Sequence, residues 1–137
     1  MFLPLLESPF SPPSTPATMS QSASDTPPSA LSTPPACTAD FCLIPLGTPT
    51  ASVSNEVAAV QRLLQKSGLK FSMHSAGTTV EGSWDDVMRL IGQCHSMLHQ
   101  NGVVRIQSDI RIGTRTDKKQ SFEDKVAKVQ ALLEQDK

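Results

Sequence analysis

The chain has 137 residues, enough for one domain with a surplus at roughly 100–200 residues per domain. Nine of its 11 Pro, with eight Ser and four Thr, crowd into residues 1–36, where there is no Lys or Arg; the rest of the chain holds 12 basic and 11 acidic side chains. That balance offers no electrostatic case for a nucleic-acid backbone or an anionic membrane, no apolar run is long enough to cross a bilayer, and three Cys are too few for a secreted disulfide framework.

Residues 1–37 are expected to be a disordered leader, because Pro-Ser-Thr composition cannot bury enough apolar surface to offset the entropy of ordering. Met1-Phe2-Leu3-Pro4-Leu5-Leu6 lacks the basic flank of a secretory signal and the Arg of a mitochondrial presequence. Ser8-Pro9, Ser11-Pro12, Thr15-Pro16, Thr26-Pro27 and Thr33-Pro34 have the form of proline-directed phosphorylation sites. A plain spacer explains the composition more simply, and no function is assigned to it.

Residues 38–137 read as the folded domain, with a period that changes every dozen residues or so. Asp40 to Leu46 is a short, nearly continuous apolar strand ended by Gly47-Thr48-Pro49. Ser52 or Ser54 can cap a helix with the stripe Val53, Val57, Val60 and Leu64, and Gly68 fits its end. Leu69 to Ser75 alternates as a strand, Ala76-Gly77 turns, and Thr78 to Glu81 returns as the second arm of a hairpin. Ser83, with Asp86 as a capping-box variant, opens a helix with the stripe Trp84, Val87, Met88, Ile91, His95 and Leu98. Val103 to Thr114 alternates again, with Val104, Ile106, Ile110 and Ile112 on one side and Arg105, Gln107, Asp109 and Arg111 on the other. Ser121 and Asp124 open a last helix with the stripe Phe122, Val126, Val129 and Leu133.

This order is βαββαβ with an added C-terminal helix, an α+β, ferredoxin-like arrangement: an antiparallel sheet with helices on one face. Phe41, Leu43, Phe71, Met73, Val80, Ile106 and Ile110 would face the helices. The other face would carry Cys42, Ile44 and Leu46 among Ser72, His74, Thr79, Glu81, Gln107, Asp109 and Arg111. A half-apolar open face and a long last strand at the sheet edge both point to a homo-oligomer.

Other constellations are weaker. His95 and His99 have the i, i+4 spacing of a helical metal pair, but His95 lies within the apolar stripe, where a hydrogen-bonded core histidine is the better reading. Cys37 and Cys42 have no second pair, so no metal centre is expected. Arg111, Arg115, Lys118 and Lys119 could hold a phosphate, but Asp117 among them favours a solvated loop.

Four stretches stand out in order: Ile44-Pro45-Leu46-Gly47-Thr48, Gly77-Thr78-Thr79-Val80-Glu81-Gly82, Trp84-Asp85-Asp86-Val87-Met88, and Arg105 through Ile112. Together they resemble the thiamine-binding protein family, small ferredoxin-like proteins related to YkoF-like domains. The resemblance runs from about Phe41 to Leu133. It implies a cytoplasmic homotetramer of dimers whose sheets join, and binding of thiamine or a related pyrimidine, such as hydroxymethylpyrimidine, without catalysis.

Thiamine is a flat aminopyrimidine joined to a thiazolium cation, and a site for it needs a carboxylate, hydroxyls and apolar walls. The open face offers Glu81 and Asp109 as carboxylates, Thr78, Thr79 and Ser75 as hydroxyls, and Ile44 and Leu46 as a wall, with His74 at the pyrimidine edge. Glu81 is expected beside Asp109 and Arg111, and Arg111 with Arg115 would decide whether phosphorylated thiamine is accepted. Two rivals stand beside this reading: an oligomeric structural or regulatory module without a small ligand, and an enzyme using His74 near Glu81 as a base.

Overall fold

The computed structural model describes residues 25–137; the expected leader lies, through residue 24, outside the described residues. The chain divides into two units at Ser32/Thr33, and the second, residues 33–137, carries all of the following elements. They are β1 (Cys37–Leu46), α1 (Ser54–Ser67), β2 (Lys70–His74), β3 (Gly77–Gly82), α2 (Trp84–Gln100), β4 (Arg105–Gly113) and α3 (Phe122–Glu134). The sheet order is β2-β3-β1-β4, antiparallel throughout, which is the expected ferredoxin-like sheet.

Local chemistry sets the element ends. Gly68 stops α1 in the left-handed conformation at φ 75°, which costs a residue without Cβ nothing. At the other end of α1 the cap position is Val53, without a side-chain cap bond, so neither expected serine caps it; the Ser52 hydroxyl accepts from the Ser54 N–H instead. Ser83 accepts from the Asp86 N–H, and Asp85 and Asp86 lie at the positive end of the α2 dipole. Ser121 and Asp124 form a complete capping box on α3.

The core lies between the sheet and the α1–α2 layer. Cys37, Ala39, Phe41 and Val80 from the sheet meet Val60, Leu64, Val87, Leu90, Ile91, Cys94 and Leu98 from the helices. Burial pushes the Cys94 thiol up to about 11, so it is an inert packing group. The buried line of α2 thus passes through Leu90 and Cys94, while Met88 turns to solvent. Met73, expected in the core, is 58% exposed on the edge strand β2, and Val104, 90% exposed, precedes β4 rather than belonging to it. His95 is half-buried and shares a 2.6 Å hydrogen bond with Ser108, while His99 donates to the Val103 carbonyl.

Two features lie outside that core. The first is α3: Val126, Val129, Leu132 and Leu133 are each more than half exposed, so its expected apolar stripe faces no partner among the described residues. Its first turn alone is fixed, by the Phe122 N–H donating to Glu81 (3.0 Å) and by Lys70 bridging Glu81 and Glu123. The second is the unequal length of the central strands. β1 pairs with β3 only from Cys37 to Phe41 but with β4 from Thr38 to Leu46. Beyond Phe41 the pairing with β3 has ended, and among the described residues no strand pairs with that edge of β1. Pro45 sits in that half without breaking the β1–β4 ladder, since it occupies a non-bonded position there.

Candidate functional site

The free half of β1, the hairpin tip and the first turns of α1 enclose a cavity of ≈ 320 Å³. That is at the lower end of the range for small-molecule sites, about 300–1,000 Å³. Val53, Val57, Val60, Phe41 and Leu98 make its apolar walls. Its deepest polar pair is Gln61 and Thr78: the Gln61 Nε2 donates to the Thr78 hydroxyl over 2.9 Å, and Thr78 is only 3% exposed. This leaves the Thr78 O–H and the Gln61 carbonyl oxygen for a molecule in the cavity. Glu56, on the first turn of α1, adds a carboxylate to the lining.

On the opposite face of the sheet lies a shallower, more polar depression of ≈ 530 Å³ lined by Asp40, Cys42, Asp109 and Arg111 among others. Asp40 is its centre. One carboxylate oxygen accepts from His74 Nε2 at 2.8 Å, and the other accepts from Arg111 at 2.9 Å. The His74 bond and then the Arg111 guanidinium hold the Asp40 carboxyl below its usual range. His74 reaches Asp40 across Gly77, where no side chain intervenes. Its other ring nitrogen accepts from the Ala76 N–H, so both nitrogens are committed.

The structure divides the expected site residues between these places. Thr78, Ser75, His74 and Ile44 line the cavity, whereas Asp109 and Arg111 line the depression. Thr78 and Thr79 lie on opposite faces, as neighbours on a strand must. Glu81 is not beside Asp109 and Arg111. The register sets it opposite Thr38 and Lys70, while Arg111 pairs with Asp40 and Asp109 with Cys42. Leu46 ends β1 opposite Arg105, outside both concavities. The basic cluster is dispersed too, with Arg111 on Asp40 and Arg115 held by Asp117 and Gln120. Gln61, Glu56 and Asp40 are the residues that sequence reasoning missed. Gln61 was legible as a polar residue four positions after Val57 within an apolar stripe.

Fold and cavity together define a small ferredoxin-like α+β protein with a pocket between its first helix and the free part of its central strand. The chain belongs to the thiamine-binding protein family, whose sequence profile matches residues 39–130. The UPF0045 protein ECM15 of Eremothecium gossypii is 51% identical over 94 residues, covering 69% of this chain and 90% of that protein. The UPF0045 protein sll0230 of Synechocystis is 45% identical over 95 residues, with 69% and 78% covered. Among solved structures, the hypothetical protein MJ1052 of Methanocaldococcus jannaschii superposes with a TM-score of 0.64 at 31% identity, over 70% of this chain and 97% of that one. A Thermotoga maritima protein with a suggested role in thiamine biosynthesis or salvage shares the fold, with a TM-score of 0.60 at 20% identity over 69% and 99%.

Proposed function

We propose that this protein binds thiamine or its aminopyrimidine part in the cavity beneath α1, without converting it. The observation that carries the reading is the cavity itself, in a chain of the thiamine-binding protein family: apolar walls for flat rings, with the Gln61–Thr78 pair at its base and the Glu56 carboxylate for a cation. Glu56 takes the part that the sequence alone suggested for Glu81 or Asp109, because Glu81 is engaged by the first turn of α3. The absence of catalysis is part of the same proposal. His74, the one candidate base, is tied at both ring nitrogens and has no free lone pair for proton abstraction.

Self-association into a homotetramer completes the proposal, supported by the bare apolar side of α3 and the nine-residue edge strand β4. Among the described residues no helix is long and apolar enough to cross a membrane. The second reading, an oligomeric module without a ligand, is favoured by the α3 surface alone, which assembly would cover whether or not the cavity is filled.

Thermal unfolding of the full chain with thiamine, its mono- and diphosphate and hydroxymethylpyrimidine separates the two. A true ligand raises the melting temperature with concentration, by about 2.7 kcal/mol of stability at a hundred times its dissociation constant. Thr78→Val should reduce that shift for the pyrimidine compounds. An oligomer that shows no shift with any of them establishes the second reading.

A further inference from the structure

In an antiparallel strand the N–H and C=O of one residue point to the same side, and successive residues alternate sides. A Cβ at Gly77 would lie 2.7 Å from the Phe41 carbonyl oxygen, so the main-chain groups of Phe41 are turned toward β3. The alternation then turns the groups of Leu43 the same way, two residues past the point where β3 pairing ends. Leu43 opposes Ser108 of β4 as a non-bonded pair, and no turn or loop backbone bond among the described residues reaches it. Pro45, the next residue on that side, offers a C=O and no N–H. Both Leu43 and Pro45 line the cavity.

We infer that the free edge of β1 at Leu43 is the element that reads the ligand: its N–H donates to a ring nitrogen and its C=O accepts from the adjacent exocyclic amine of a 4-aminopyrimidine. This rests on the proposed pyrimidine-binding function and adds its specificity determinant. One residue of an extended strand presents a donor and an acceptor side by side, the pattern with which it would bond an opposite residue. An amidine-type ring edge presents the complement. A 4-oxo ring with a protonated ring nitrogen presents a donor to the N–H and an acceptor to the C=O, and is rejected. Because the reading groups belong to the main chain, no side-chain motif records them.

Residue-resolved amide hydrogen exchange on the full chain, with thiamine and its 4-oxo counterpart as probes, tests this directly. Without ligand, the Leu43 amide should exchange faster than its ladder-bonded neighbours Cys42 and Ile44. Saturating thiamine should slow Leu43 at least tenfold, and the 4-oxo compound should bind at least about tenfold more weakly, as expected when a buried polar pair is left mismatched. Thermal stabilisation by thiamine without protection of Leu43, or equal binding of the two probes, overturns this inference and leaves the binding function standing. A Leu43 amide already slow without ligand overturns it as well. No binding of thiamine by either measurement removes both.

Discussion

The two halves of β1 are built from the same kind of sequence and do opposite things. From Thr38 to Phe41 the strand is bonded on both edges, and the inward residues Cys37, Ala39 and Phe41 of this half are buried against the helices. From Cys42 to Leu46 it is bonded only to β4, and the space left by the missing partner is the cavity. The difference lies not in β1 but in its neighbour: β3 has six residues against ten. A pocket in this fold is therefore a matter of strand-length mismatch, achieved without removing any side chain from the core.

The largest break in the comparison comes from the fully paired half. Phe41→Ala should cost about 3–5 kcal/mol of stability, a typical penalty for deleting a buried aromatic, read as a lower denaturant midpoint. At the boundary between the halves, Gly77→Ala forces a Cβ to 2.7 Å from the Phe41 carbonyl and must displace the hairpin tip. It should cost about 1–3 kcal/mol and weaken the thiamine-dependent thermal shift. Both positions line the cavity, so both variants should weaken the ligand response; Phe41→Ala lowers stability most, whereas Gly77→Ala acts mainly by moving the hairpin tip.

The smallest effect sharpens the contrast between the sheet's faces. Because the Asp40 carboxyl is held below its ordinary range, it contributes stability that is present above the unfolded carboxylate value of about 4 and lost as pH falls through its lower folded value. Asp40→Asn should therefore destabilise by a few tenths to about 1 kcal/mol at neutral pH, and the gap to wild type should close in acid. Urea midpoints at neutral and acidic pH measure it. The response to thiamine should change little, since Asp40 does not line the cavity and the amide oxygen of Asn can still accept from His74, which does.

Periodicity made most of the fold legible, because a switch between two- and four-residue spacing marks each element and Ser83, Ser121 and Gly68 mark ends chemically. The start of β1 was missed because Cys37-Thr38-Ala39 is small and weakly apolar and adjoins the Pro-rich stretch. Leu90 and Cys94 were missed because a stripe drawn through Met88 and His95 lies to one side of the true buried line. The site was half legible. Thr78, Ser75, His74 and Ile44 do line the cavity, but which face each residue joins depends on register across three strands, which no single strand's pattern carries. Asp40 stands in the sequence only as the start of an apolar strand, and nothing in that strand's own pattern shows that His74 and Arg111 converge on it.

Pro45 has a consequence for life in a crowded cell. An unpaired strand edge is a template for adding foreign strands, the first step toward aggregation, and proteins blunt such edges with proline. On the free side of β1, Pro45 leaves the Leu43 amide as the one donor between Phe41 and the strand end. An incoming polypeptide would find a single anchoring point where a stable ladder needs several. The cavity mouth can thus stay unpaired without becoming sticky, and the edge admits a compact heterocycle while discouraging a chain.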